Sequence, residues 1–166
     1  YVTGFSLGAM LAYRLAAELS GRIAAIAPVA GGLGVPVEQI ERPVSVLHFH
    51  GTCDEFVPLA GGVGPRSISR TNFPPVEHSL RTWVKLNGCH EVPQVQRLSE
   101  PGADLMVTQT TYDGGREGAE VVFVCIEGGG HTWPGQTVAL KLLGKVADNI
   151  SANDLMWTFF QKHPRR

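Results

Sequence analysis

The chain has 166 residues, of which 43% are hydrophobic and 17% charged, and its formal net charge is −1 at pH 7. That length fits one domain with a sizeable core, and the near-neutral balance gives no electrostatic reason to expect nucleic acid or an anionic membrane as partner. No apolar run approaches the roughly 20 residues that a membrane span requires, and Cys53, Cys89 and Cys125 are too scattered for a zinc pattern.

Tyr1-Val2-Thr3 reads as the last residues of a β-strand, so residues 1–166 are expected to form the C-terminal part of one domain that begins upstream. From Leu7 to Ser20, the apolar residues Met10, Leu11, Leu15 and Leu19 recur at helical spacing, and Gly21 supplies a stop. The run RIAAIAPVAGG predicts a buried strand, and LGVPVEQIERP a loop or a short turn of helix. Val44 to Gly51 (VSVLHFHG) is β-branched and bounded by Pro43 and Gly51, which predicts another strand. Cys53 to Pro74 is rich in Gly, Pro and Ser and reads as a long irregular excursion, a kind of segment that is often functional. PPVEHSLRTWVKLNG predicts a helix with prolines at its start and Gly88 at its end. LMVTQTTY and EVVFVCIEG predict two strands joined as an antiparallel hairpin through DGGREGA. A last helix is expected from Ser151, where Asp154 completes a capping box, to about Lys162. Strands alternating with helices argue for an α/β sheet covered on both faces.

Gly4-Phe5-Ser6-Leu7-Gly8 fits the G-x-S-x-G nucleophile elbow at the strand-to-helix junction where that motif works. There the turn strains the serine backbone and lifts its oxygen to the top of the sheet, and side chains at the two flanking glycine positions are expected to collide. The helix N-terminus places positive potential and the Leu7 backbone N–H where an oxyanion would form. The alternative is a helix N-cap serine beside packing glycines.

A nucleophilic serine needs a base, and the base an orienting carboxylate. Asp54 lies just past the C-terminal end of VSVLHFHG, and His131 follows three glycines after EVVFVCIEG, which gives the chain order Ser, Asp, His. Glu55 is the other available carboxylate, a turn role is open to Asp54, and a surface-loop role to His131. His48 and His50 alternate on one strand and share a face, an arrangement that suits a metal pair or two satisfied buried histidines. His78, His90 and His163 read as solvated. Phe5, Phe56 and Trp133 are candidate pocket walls, with plain packing as the alternative.

YVTGFSLGAMLAYRLA, HFHGTCDEFVP, WVKLNGC and above all EGGGHTWPG resemble the esterase family of polyhydroxybutyrate depolymerases, which takes in related feruloyl and acetyl-xylan esterases. The resemblance implies an α/β-hydrolase fold, here its later portion: a mostly parallel sheet flanked by helices with a late β-hairpin. It implies hydrolysis of carboxylic esters by a secreted enzyme without metal or organic cofactor, with Ser6 as nucleophile, Asp54 as acid and His131 as base. It also places a second oxyanion donor upstream of the elbow. In the family a cysteine near the turn at Tyr112-Asp113 can pair with the one in NGC, but Asp113-Gly114-Gly115 occupies that turn here, which leaves Cys89 without that partner. Two other readings are a serine peptidase on the same fold and a non-catalytic ester- or polysaccharide-binding relative or inactive fragment.

Overall fold

The computed structural model describes residues 1–137 and 140–165. Strands β1 (Val2–Phe5), β2 (Ala25–Val29), β3 (Ser45–Gly51), β4 (Gln94–Arg97), β5 (Val107–Tyr112) and β6 (Val121–Ile126) alternate with helices α1 (Leu7–Glu18), α2 (Val76–Asn87) and α3 (Ala152–Lys162). The strands form one sheet in the order β1-β2-β3-β6-β5-β4. β1, β2, β3 and β6 run parallel, and β5 and β4 complete the sheet antiparallel. The expected hairpin is present, with Val107 opposite Ile126 and Tyr112 opposite Val121.

The two-residue period of β3 explains the layering. Val46 joins Tyr13 and Ala16 of α1 and Val76, Leu80, Trp83 and Val84 of α2 in one apolar cluster. Leu47 and Phe49 point the other way, into a second cluster with Met156, Phe159 and Phe160 of α3. Both faces of the parallel region are therefore covered, as a strand buried on both sides requires. All seven β3 residues are buried, the two histidines included.

Several local expectations hold for identifiable reasons. α2 ends at Gly88 in the left-handed conformation (φ 71°), and its cap N–H reaches back to the Val84 and Lys85 carbonyls. At the start of α3, Ser151 Oγ accepts from the Asp154 N–H at 3.2 Å. α1 stops at Glu18, two residues before the sequence suggested, because Ser20 turns inward and its Oγ accepts from the Glu41 N–H at 2.9 Å. β4 was not expected. Its QVQR sequence is exposed throughout, and pairing with β5 rather than apolar patterning makes it a strand.

Candidate active site

The turn from β1 into α1 places Ser6 at φ 57°, ψ −114°, a region that non-glycine residues seldom occupy. Its N–H is tied to the Val29 carbonyl at the end of β2 (2.9 Å), and its carbonyl accepts from Ala9 and Met10 to start the helix. The Ser6 side chain makes no cap hydrogen bond, so the structure shows no N-capping by its hydroxyl. The two motif glycines differ in purpose. A Cβ on Gly4 would lie 2.4 Å from the Gly8 backbone, whereas one on Gly8 would meet nothing within 4 Å. The expected collision is thus real at Gly4 and absent at Gly8. Gly4→Ala is expected to distort the elbow and lower both melting temperature and activity. Gly8→Ala should be neutral or stabilise by up to about 1 kcal/mol through helix propensity. Thermal melts of the two variants check this, and equal losses would contradict it.

No acidic residue occupies the first turn of α1, so nothing there offsets the positive end of the helix. Leu7 begins the helix, and helical geometry leaves its N–H without an intrahelical partner.

Asp54 follows β3, and His131 follows β6, the neighbouring parallel strand. The two loops are stitched together where the Thr52 N–H donates to the Ile126 carbonyl (3.0 Å) and the Cys53 N–H to the Gly129 carbonyl (2.9 Å). Gly51 permits this approach, since a Cβ there would lie 2.2 Å from the Gly129 oxygen. A strap formed by residues 143–145 holds the histidine loop, with the His131 N–H donating to the Leu143 carbonyl at 2.7 Å.

Both side chains are buried, His131 at 5% and Asp54 at 4% exposure. His131 Nδ1 lies 2.7 Å from Asp54 Oδ2. A carboxylate only accepts, so Nδ1 carries the proton, and in the neutral ring Nε2 is left as the free base. Asp54 Oδ1 accepts from the Phe56 and Val57 N–H groups at 2.9 and 2.8 Å. The carboxylate is therefore fixed from both ends. Glu55, one residue on, pairs instead with Arg66 at the surface.

The His131 ring lies between two aromatics, with centroids 4.7 Å from Phe5 and 5.1 Å from Phe56. Since Phe5 precedes Ser6, this contact brings the elbow alongside the imidazole. Trp133 packs against the cluster on the α3 side and donates from Nε1 to Asn153 Oδ1 at 3.1 Å.

The remaining histidines divide into two kinds. His78 is exposed, and His90 is an exposed partner of Asp113. His163 departs from the expectation of a solvated group, because it packs on Phe159 and bonds Glu120 Oε1 at 3.0 Å. His48 and His50 lie on one face as expected, with rings nearly parallel at 5.3 Å. Among the described residues no group of three or more His, Cys, Asp or Glu is arranged to hold a metal ion. The three cysteines are free thiols, and burial pushes those of Cys89 and Cys125 up to about 11, which keeps them protonated at neutral pH. No helix among the described residues is long and apolar enough to cross a membrane.

No family model matches the chain. It is similar to individual curated proteins. One of Nocardia uniformis subsp. tsuyamanensis, named as esterase NocK, is 31% identical over 93% of this chain and 48% of its own length. A bifunctional acetylxylan esterase/xylanase of Neocallimastix patriciarum is 27% identical over 81% of this chain and 23% of its own length. Feruloyl esterase B of Piromyces equi is 29% identical over 79% of this chain and 24% of its own length. The chain thus spans about half the length of the first and about a quarter of the other two. By sequence, the chain is related to these proteins named as esterases.

Proposed function

We propose that the chain carries the catalytic end of a serine esterase, the later part of an α/β-hydrolase domain, cleaving carboxylic esters through an acyl-enzyme. The observation that carries this reading is the buried Asp54–His131 hydrogen bond at the sheet end that also presents the strained Ser6. The parallel strands, the chain order and the names of the relatives support it.

In the proposed reaction His131 Nε2 takes the hydroxyl proton as Ser6 Oγ bonds to the ester carbonyl carbon. The electron pair of the C=O bond moves onto oxygen, and the Leu7 N–H at the helix N-terminus donates to the oxyanion. Asp54 stabilises the imidazolium from the Nδ1 side. When the carbonyl re-forms, the alcohol leaves with the proton held on Nε2. A water molecule, deprotonated by the same nitrogen, then releases the acid and restores Ser6. No step calls for a metal or an organic cofactor. Phe5 and Phe56, the rings against His131, are the proposed pocket walls, with Trp133 further along the same loop. Among feruloyl-polysaccharide, acetyl-xylan and polyhydroxyalkanoate esters, the relatives' names favour the first two. A secreted enzyme acting on plant polysaccharide fits those names.

A fluorophosphonate probe is expected to label the protein at Ser6. Replacing His131 by alanine in folded protein should lower kcat/KM for a p-nitrophenyl ester by several orders of magnitude, because the free Nε2 lone pair that takes the serine proton is lost. A folded His131→Ala that keeps the parental rate, or labelling elsewhere, would refute the histidine base or the nucleophile respectively.

A further inference from the structure

Beneath Asp54 lies a line of buried polar groups that the reaction above does not use. Tyr13 Oη of α1 is 2.8 Å from His48 Nδ1, His48 Nε2 is 3.1 Å from His50 Nδ1, and His50 Nε2 is 2.8 Å from the Val57 carbonyl. His50 Nε2 also lies 3.4 Å from Asp54 Oδ2, the oxygen that accepts from His131. Tyr13, His48 and His50 are at most 1% exposed, so each polar atom depends on its protein neighbours.

One end of the line dictates the rest. A backbone carbonyl only accepts, so His50 Nε2 carries a proton. In a neutral ring His50 Nδ1 is then an acceptor, and His48 Nε2 has to donate to it. That makes His48 Nδ1 an acceptor in turn, and the Tyr13 hydroxyl is its donor. Both rings are neutral Nε2–H tautomers, and every donor points toward Asp54. Burial, reinforced by the facing His50 ring, holds His48 well below the ordinary histidine range. Burial likewise lowers His50, against the opposing pull of Asp54. Burial also raises the Tyr13 phenol, so it keeps its proton.

We propose that Tyr13, His48 and His50 form a one-way hydrogen-bond relay ending at the Asp54 carboxylate, with His50 a positioning residue that fixes Asp54 for its bond to His131. His50 Nε2 has two acceptors within reach, Val57 O and Asp54 Oδ2. The same Val57 peptide segment donates its N–H to Asp54 Oδ1. His50 therefore braces Asp54 on one oxygen directly and on the other through the loop that holds it. The inference rests on the assignment of Asp54 to the triad proposed above.

The test uses 15N-labelled histidine in the protein, followed by NMR, together with ester kinetics. In the parent, His48 and His50 are expected to show the neutral Nε2–H pattern at pH 7, and His131 a low-field Nδ1 proton from its bond to Asp54. His50→Phe should move or abolish that low-field resonance and lower kcat on the order of 10- to 100-fold, as loss of an orienting partner does elsewhere, with KM nearly unchanged. His50→Gln, which supplies both an N–H and an acceptor oxygen, should recover most of the kcat and the resonance. A merely structural histidine would not respond in this pairwise way. An Nδ1–H tautomer or a charged ring at either position at pH 7 would overturn the relay, and that parent measurement needs no variant to fold. So would a folded His50→Phe with parental kcat and resonance. A parent that shows the expected tautomers and low-field proton yet cleaves no ester and takes no fluorophosphonate would instead overturn the esterase reading and leave the relay standing.

Discussion

Replacing Ser6 by alanine is expected to leave the protein folded and to lower kcat by on the order of 10⁶. The loss is large because the step being removed has no substitute. In the proposed reaction the Leu7 N–H and the Asp54–His131 pair would still polarise and orient, but no oxygen would be positioned to bond to the carbonyl carbon. The fold should survive because the Ser6 side chain makes no cap hydrogen bond, and its neighbours are held through its backbone N–H and carbonyl. Strain offers an independent check on the same position. Glycine adopts φ 57° without the cost that a Cβ imposes there. Ser6→Gly should therefore be as inactive as Ser6→Ala and more stable, by about 1 kcal/mol or more. Active-site titration and p-nitrophenyl ester kinetics on folded variants decide the first point. A residual rate above about a hundredth of the parent would assign the nucleophile elsewhere.

Acid should destabilise the protein steeply, beginning near the pH at which an unfolded histidine titrates. His48 and His50 are held below their ordinary range by burial, so the folded state keeps them neutral while the unfolded chain binds protons at about pH 6.5. Their contribution is complete above that pH and is lost as pH falls from there through the folded-state values. Each unmatched proton costs about 1.4 kcal/mol per pH unit for as long as the folded ring stays neutral. Against a typical domain stability of about 5–15 kcal/mol, two pH units are a serious loss. Urea midpoints measured from about pH 7.5 down to 4.5 should stay nearly level at first and fall below about pH 6.5, with a net proton uptake on unfolding there. Stability that stays level from pH 7 to 5 would mean that the rings are charged, or hydrated, in the folded state.

The sequence announces the corners of this site better than its interior. Ser6, Asp54 and His131, the proposed triad, can be picked out of the sequence because each stands near glycines that the backbone itself requires. One lets β1 approach Gly8, another lets two loops meet, and a run of them precedes the histidine. The strand HFH likewise reveals that His48 and His50 share a face. What it withholds is the partner across the face. Tyr13 carries no signal of its own within α1, and only the packing of α1 over the sheet brings its hydroxyl to His48. β4 was illegible for a related reason. Nothing in QVQR asks to be a strand, and the instruction comes from the open edge of β5. In both cases the missing information is a distance between segments, which periodicity along one segment does not encode.

The stitching between the Asp54 and His131 loops also separates the work of the site into two independently adjustable parts. The proposed acid and base follow neighbouring strands and are tied loop to loop, whereas the proposed nucleophile hangs from β1, one strand further out beyond β2. The link between them is short: the Ser6 N–H holds the Val29 carbonyl, and the next residue, Ala30, donates its N–H to the Phe49 carbonyl of β3 at 2.9 Å. An engineer seeking to tune how closely the serine oxygen meets the imidazole thus has a control that touches no reacting group. Substitutions around Val29 and Ala30 act like the set-screw of an optical mount, shifting one component against another whose own alignment stays locked.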